Sequence, residues 1–289
     1  MNRILPIAMA LMMAMGVPAS AFAADSDSTV SIQQVRNATV KVIYGDQVFM
    51  VDPMLAEKGA YPGFPNTYRS HLRNPLVDLP RPAEELIADV DAVILTHTHL
   101  DHWDPAAQAI LAKGIPVFVQ DNDDATLLKD QGFQDVRVLA DNVTFNGVRI
   151  TRTGGRHGSE EMYRDETMAK ALGAVMGFVF QKPNAKTVYI AGDTVWESDV
   201  PKTIAAFTPE VIVLNTGDAR VDGFEGGIIM GKEDTLRVHT LAPKAKIVAV
   251  HMDSINHMTV SRADFRDYVA ETNIADAVLI PEDGEIINF

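Results

Sequence analysis

The chain has 289 residues, 47% of them hydrophobic, and a formal net charge of −14. That balance supplies a large core and speaks against non-specific attraction to DNA, RNA or anionic membrane. No cysteine is present, so disulfides, thiolate ligands and a lipoprotein thiol are all excluded.

Residues 1–23 read as a secretory signal peptide. Asn2-Arg3 is a short positive start, an apolar run extends from Ile4 to Val17, and Ala21-Phe22-Ala23 offers a small-x-small cleavage site. The run is shorter than the roughly 20 residues of a transmembrane helix. The mature chain, 24–289, is therefore expected in the bacterial periplasm or secreted, with no stable membrane insertion. Residues 29–35, 39–44 and 47–52 read as strands, and the last two are joined at Gly45-Asp46. Asp52 ends the third, either as a turn residue or as support for a neighbouring site. From 55 to 82 the sequence is irregular, aromatic and weakly charged, which fits a wall or lid of a cleft better than disorder. Its polar candidates are Tyr68, Arg69, His71 and Arg73.

An apolar strand, Ala92-Val93-Ile94-Leu95, leads into His97-Thr98-His99-Leu100-Asp101-His102-Trp103-Asp104, which holds three of the eight histidines. Imidazole nitrogen and carboxylate oxygen are ligands for a borderline divalent metal such as zinc. Alternate side chains of an extended backbone share a face, so His97 and His99 can converge on one ion. Asp101 and His102, where the chain turns, are placed to reach a second. Asp104-Pro105 supplies an N-cap and first turn for a helix to about residue 113. A strand at 115–120, a short helix at 124–130 and strands at 136–139, 143–145 and 148–153 follow, with a hairpin turn at Asn146-Gly147. Residues 159–172 read as a charged loop. Strands at 174–181, 187–191, 211–215, 247–250 and 277–280 alternate with helices at about 198–207, 232–241 and 261–271; residues 285–289 form the tail. Ser261 and Asp264 fit a capping box.

The eight-residue stretch resembles the H-x-H-x-D-H signature of the metallo-β-lactamase fold superfamily. Further matches follow in order: Gly155-Arg156-His157-Gly158, Ile190-Ala191-Gly192-Asp193-Thr194 and Val248-Ala249-Val250-His251. The resemblance spans nearly the whole mature chain and is strongest to the metal-dependent hydrolases that include the ascorbate-6-phosphate lactonases. It implies an α/β fold, an αββα sandwich of two facing mixed sheets flanked by helices; periodicity alone says only mixed α/β. It also implies two divalent ions, zinc by preference with iron or manganese as other fits. The first would take His97, His99 and His157, the second Asp101, His102 and His251, with Asp193 bridging.

The implied activity is that of an exported hydrolase in which a metal-bridged hydroxide attacks a carbonyl ester or lactone. Phosphodiesterase and then β-lactamase are the alternatives, and a metal-dependent ligand-binding protein is the alternative outside enzymes. Asp101 is expected to orient the attacking water, and His257 to reach substrate or proton, unless it replaces His251 as the last ligand. Trp103 is expected beneath the loop. Tyr68, Arg156 and Asn215 are candidate contacts to a small-molecule substrate. His71 and His239 read as surface residues.

Overall fold

The computed structural model describes residues 29–197 and 199–289. The signal peptide predicted at 1–23 lies outside the described residues. The strands are β1 Val30–Arg36, β2 Thr39–Tyr44, β3 Gln47–Val51, β4 Ala92–Ile94, β5 Val117–Val119, β6 Val136–Val138 and β7 Asn142–Phe145. They continue as β8 Val148–Thr153, β9 Gly177–Gln181, β10 Val188–Ile190, β11 Val211–Asn215, β12 Lys246–Val250, β13 Val278–Leu279 and β14 Ile286–Asn288. The helices are α1 Ala83–Ile87, α2 Pro105–Ile110, α3 Asn122–Asp130, α4 Glu160–Arg164, α5 Glu166–Leu172, α6 Asp199–Phe207, α7 Lys232–Leu241 and α8 Arg262–Glu271.

Two seven-stranded sheets run β14-β1-β2-β3-β4-β5-β6 and β13-β12-β11-β10-β9-β8-β7. Both are mixed: β3 to β6 and β10 to β13 pair in parallel, and the remaining neighbours pair antiparallel. The period-2 alternation of strand side chains explains why so many runs are apolar throughout. On β9 and β10, Phe178, Phe180, Val188 and Ile190 enter the core shared by the two sheets. Val179 and Tyr189 enter the opposite layer, under Val200 and Ile204 of α6 and Phe265 of α8. On the other sheet Val93, Val117 and Val119 face Leu86 of α1, Ala107 of α2 and Leu128 of α3. The layers are therefore helix, sheet, sheet, helix, the sandwich that the resemblance implied.

Three expectations need correction. Residues 159–172 are two short helices rather than a loop. The hydroxyl of Ser159 accepts from Met162 N and the carboxylate of Asp165 from Met168 N, and Met162 and Leu172 are buried beneath. Helix α2 ends at Ile110, short of the predicted 113, because Leu111 turns to an extended ψ of 135°. The strand predicted from 174 begins at Gly177, where a Cβ would lie 2.6 Å from Thr153 Oγ1 and 2.8 Å from two carbonyl oxygens. The irregular segment 55–82 is as expected, with only isolated bridges from Tyr61 to Asn74 and from Thr67 to Val221.

Candidate metal centre and substrate cavity

The rims of both sheets deliver side chains to one point. The loop after β4 brings His97, His99, Asp101 and His102; the ends of β8, β10 and β12 lead to His157, Asp193 and His251. Three sets of ligand atoms each lie within 4.8 Å of one another: His97, His99 and His157; His97, His102 and Asp193; Asp101, His102 and His251. Asp193 stands between the outer sets. Its Oδ2 is 3.1 Å from His102 Nε2 and 3.7 Å from His157 Nε2, while Oδ1 is 3.5 Å from His251 Nε2. His257 joins none of these sets.

Outer hydrogen bonds decide which ring nitrogens face inward. His157 Nδ1 donates to Ile228 O at 2.8 Å and His99 Nε2 to Ala171 O at 2.9 Å. His102 Nδ1 donates to Asp52 Oδ2 at 2.9 Å. The Thr96 hydroxyl gives its proton to Asp52 at 2.7 Å and so accepts from His97 Nδ1 at 3.1 Å. Each bond turns the other nitrogen of its ring inward, as a lone pair wherever the ring is neutral. His97 Nε2 and His99 Nδ1 then face each other at 3.0 Å, and His102 Nε2 and His251 Nε2 at 3.2 Å. The lone pairs of the contact between His97 and His99 repel unless positive charge lies between them, and the contact between His102 and His251 needs a proton or a cation between its nitrogens. The donor set therefore fits divalent cations, and its nitrogen and oxygen atoms suit zinc.

The electrostatics state the same demand. Burial disfavours protonation of His102, yet Asp193, Asp101 and Asp52 hold its pKa well above the ordinary imidazole value. Burial likewise opposes ionisation of Asp193, but His102 and His251 hold its carboxyl well below the usual range. The same balance, with His102 and His251 again the cations, keeps Asp101 ionised. Burial, opposed by Asp193 and aided by the neighbouring His99 and His102, brings His157 down to about 4.

A cavity of about 340 Å³ opens beside the cluster. His99, Asp101, His157, Asp193 and His257 form its chemical end, while Phe64, Leu100, Met168, Leu172, Val221 and Ile228 form its apolar walls. No Lys or Arg is among its described lining residues. His257 meets the Phe64 ring edge-on at 4.9 Å, its Nδ1 lacks a hydrogen-bond partner, and burial lowers its pKa to about 4.

The three residues expected to contact substrate lie elsewhere. Tyr68 is 49% exposed and carries the Arg69 guanidinium over its ring at 4.9 Å. The Arg156 guanidinium is committed to an ion pair with Glu197. Asn215 donates to Asp193 Oδ1 at 2.6 Å and so orients that carboxylate. Trp103 lies beneath the loop, against Phe133 and bonded to Gln131. Among the undecided residues, Asp52 supports His102 and Thr96 rather than merely ending a strand. Asn37, which no sequence pattern marks, donates its side-chain amide to Asp101 O at 3.0 Å, and its carbonyl accepts from His251 N at 3.0 Å.

A model of the β-lactamase superfamily domain matches residues 49–252. Protein YddR of Bacillus subtilis is 45% identical over 261 residues, which cover 90% of this chain and 100% of that one. A possible metal-dependent hydrolase from Veillonella parvula has a TM-score of 0.89 at 45% identity, over 91% of this chain and 99% of that one. An isothiocyanate hydrolase from Delia radicum gut bacteria has a TM-score of 0.87 at 51% identity, over 90% of this chain and 99% of that one.

Proposed function

The chain belongs to the β-lactamase superfamily and is a metal-dependent hydrolase, and from that premise we propose that it adds water to small, neutral organic isothiocyanates. The observation that carries this reading is the apolar, cation-free cavity opening directly onto the imidazole and carboxylate cluster. A phosphodiester or phosphorylated lactone would bring an anionic group and find no lysine or arginine on the wall to pair with it. An isothiocyanate brings an apolar tail and an uncharged N=C=S group whose central carbon is electrophilic. The named activity of the relative from Delia radicum gut bacteria supports the same choice. The ester or lactone expected from sequence would need the same attack on carbon.

In the proposed reaction the water oxygen bonds to the central carbon as the C=N π bond opens, and nitrogen takes a proton. The product, R–NH–C(=S)–OH, passes its hydroxyl proton to nitrogen as the C–N bond breaks, which yields R–NH2 and O=C=S. Cations held by the cluster, two in number and zinc by preference, would supply hydroxide at neutral pH and positive charge opposite the sulfur. Asp101, ionised and lining the cavity, accepts a hydrogen bond from the water and turns a lone pair toward carbon. His257, neutral at pH 7, takes the proton that water sheds and returns it to nitrogen. Phe64, Met168 and Leu172 hold the tail and keep bulk water out. Export through residues 1–23 belongs to the same reading and would place turnover in the periplasm.

The test is amine release from allyl and benzyl isothiocyanate by metal-loaded protein. γ-Butyrolactone, p-nitrophenyl acetate, bis-p-nitrophenyl phosphate and nitrocefin run beside them, with and without chelator. The isothiocyanates are expected to give the highest kcat/KM and to lose it on chelation. His257→Ala should lower kcat by about 10²-fold with metal content unchanged. A higher kcat/KM for the lactone, ester, phosphodiester or β-lactam would overturn the reading.

A further inference from the structure

The residue beside His257 makes a set of bonds that the proposed chemistry does not use. Asn256 is fully buried, and its side-chain amide spends all its hydrogen-bonding capacity on the segment 61–74. Its Oδ1 accepts from Phe64 N at 2.9 Å and Asn74 Nδ2 at 2.8 Å. Its Nδ2 donates to Thr67 Oγ1 at 2.9 Å and Tyr68 O at 2.8 Å. The main chain adds two more: Asn256 N donates to Asn74 Oδ1 at 2.9 Å, and Arg69 Nε donates to Asn256 O at 3.1 Å. A segment without helix or strand is thus tied at five of its residues to a single amino acid. None of these bonds goes to a metal-ligand candidate.

The tied segment carries one wall of the cavity, Phe64 to Thr67. Phe64 is where the two meet, since its amide bonds to Asn256 and its ring packs edge-on against His257. How much of the apolar wall a tail meets beyond the reacting end therefore depends on how this latch seats Phe64 to Thr67. We propose that Asn256 is a positioning residue that sets the length of substrate tail the cavity accepts, an inference that rests on the reading of the cavity as a tail-binding site. It acts through Phe64 and the 61–74 segment and touches no substrate itself. Asn256→Asp keeps the shape and the acceptor at Oδ1 but places an oxygen where Nδ2 donated, opposite the carbonyl of Tyr68 and the hydroxyl of Thr67. Thr67→Val is the milder probe: it removes the hydroxyl that accepts from Nδ2 and donates to Phe64 O at 2.7 Å.

The experiment measures kcat and KM for metal-loaded wild type, Asn256→Asp and Thr67→Val on n-alkyl isothiocyanates from methyl to octyl. Limited trypsin digestion, scored after Arg69 and Arg73, runs alongside. Asn256→Asp is expected to raise KM for tails of six carbons or more at least tenfold and to change kcat on the methyl compound less than threefold. Cleavage after Arg69 should quicken at least tenfold. Thr67→Val should move each readout in the same direction by less, and it carries the test if Asn256→Asp does not fold. Tail-length profiles parallel to wild type, or unchanged cleavage, would overturn the proposal. If wild type turns over no isothiocyanate, the substrate reading fails by itself, and the same tail series as p-nitrophenyl alkanoates then tests the latch.

Discussion

The carboxylate of Asp52 receives the Thr96 amide at 2.7 Å, the Thr96 hydroxyl at 2.7 Å and His102 Nδ1 at 2.9 Å, all inside the protein. It thereby fixes the tautomer and the rotation of two imidazoles, His102 directly and His97 through the threonine. Asp52→Asn keeps the size but removes the charge, and its amide end can no longer accept a proton from the ring. Metal affinity should fall about 10–100-fold, read by competition with a chromogenic chelator. An unchanged affinity would show that Asp52 serves the strand end alone. The clustered imidazoles and carboxylates were legible because His and Asp are rarely so dense without a cation. Of the residues around them, Asp52 stayed open between a turn and a support, while Asn37 and Asn256 carry no mark, for they are ordinary residue types whose partners are distant in sequence. Asn256 reaches back 192 positions to Phe64, and nothing in its immediate neighbours marks that bond. Arg156, a candidate to steer an anionic substrate, is paired by the fold with Glu197, a partner 41 positions away that no local pattern marks.

At the scale of elements, the start of α2 does more than begin a helix. Asp104 Oδ1 accepts from Ala107 N at 2.7 Å, the cap that the sequence predicted. Its Oδ2 also accepts from Leu55 N at 3.1 Å and Ala56 N at 2.8 Å, so it anchors the exit of β3 to the metal-bearing loop. Asp104→Ala would lose the cap and leave two buried amides without acceptors. A loss of about 3 kcal/mol is expected in urea unfolding; a loss below about 1 kcal/mol, the value of an ordinary cap, would refute the anchoring role. Short elements explain where sequence reading stopped. Helices α4 and α5 span five and seven residues, too few for an apolar period to show, and they hold because tertiary contacts bury Met162 and Leu172. Helix α1 has Pro82 at its N-cap position and no side-chain cap bond, so it offered no start signal of the usual kind.

Across the whole molecule, the two sheets meet through a dry aromatic contact and a polar rim. Phe49 of one sheet packs at 4.7 Å from Phe180 of the other, and Tyr44 stacks on Phe180 at 5.3 Å. That interior was legible as uninterrupted apolar strands, but which strands join which sheet depends on long-range pairing that no local pattern encodes. The rim is different in kind. His97, His99, Asp101 and His102 hang from one sheet and His157, Asp193 and His251 from the other, so a cation held by both groups would tie the two sheets together. Without one, the buried carboxylates draw on His102 for positive charge, and the facing lone pairs of His97 and His99 repel within their own loop. Binding to the folded state alone stabilises it by RT ln(1 + [L]/Kd), about 4 kcal/mol when free metal is 1,000 times Kd. Chelated protein should therefore unfold at a lower temperature, and Tm should climb with the logarithm of free zinc. Asp193→Ala should abolish that dependence, because it removes the carboxylate that stands between the two outer ligand sets. Phe180→Ala, by contrast, should cost about 4 kcal/mol with zinc or without it, since its cavity lies in the core rather than at the rim. A Tm indifferent to chelation, or a zinc dependence that survives in Asp193→Ala, would mean that the imidazoles and carboxylates do not grip a cation across the two sheets.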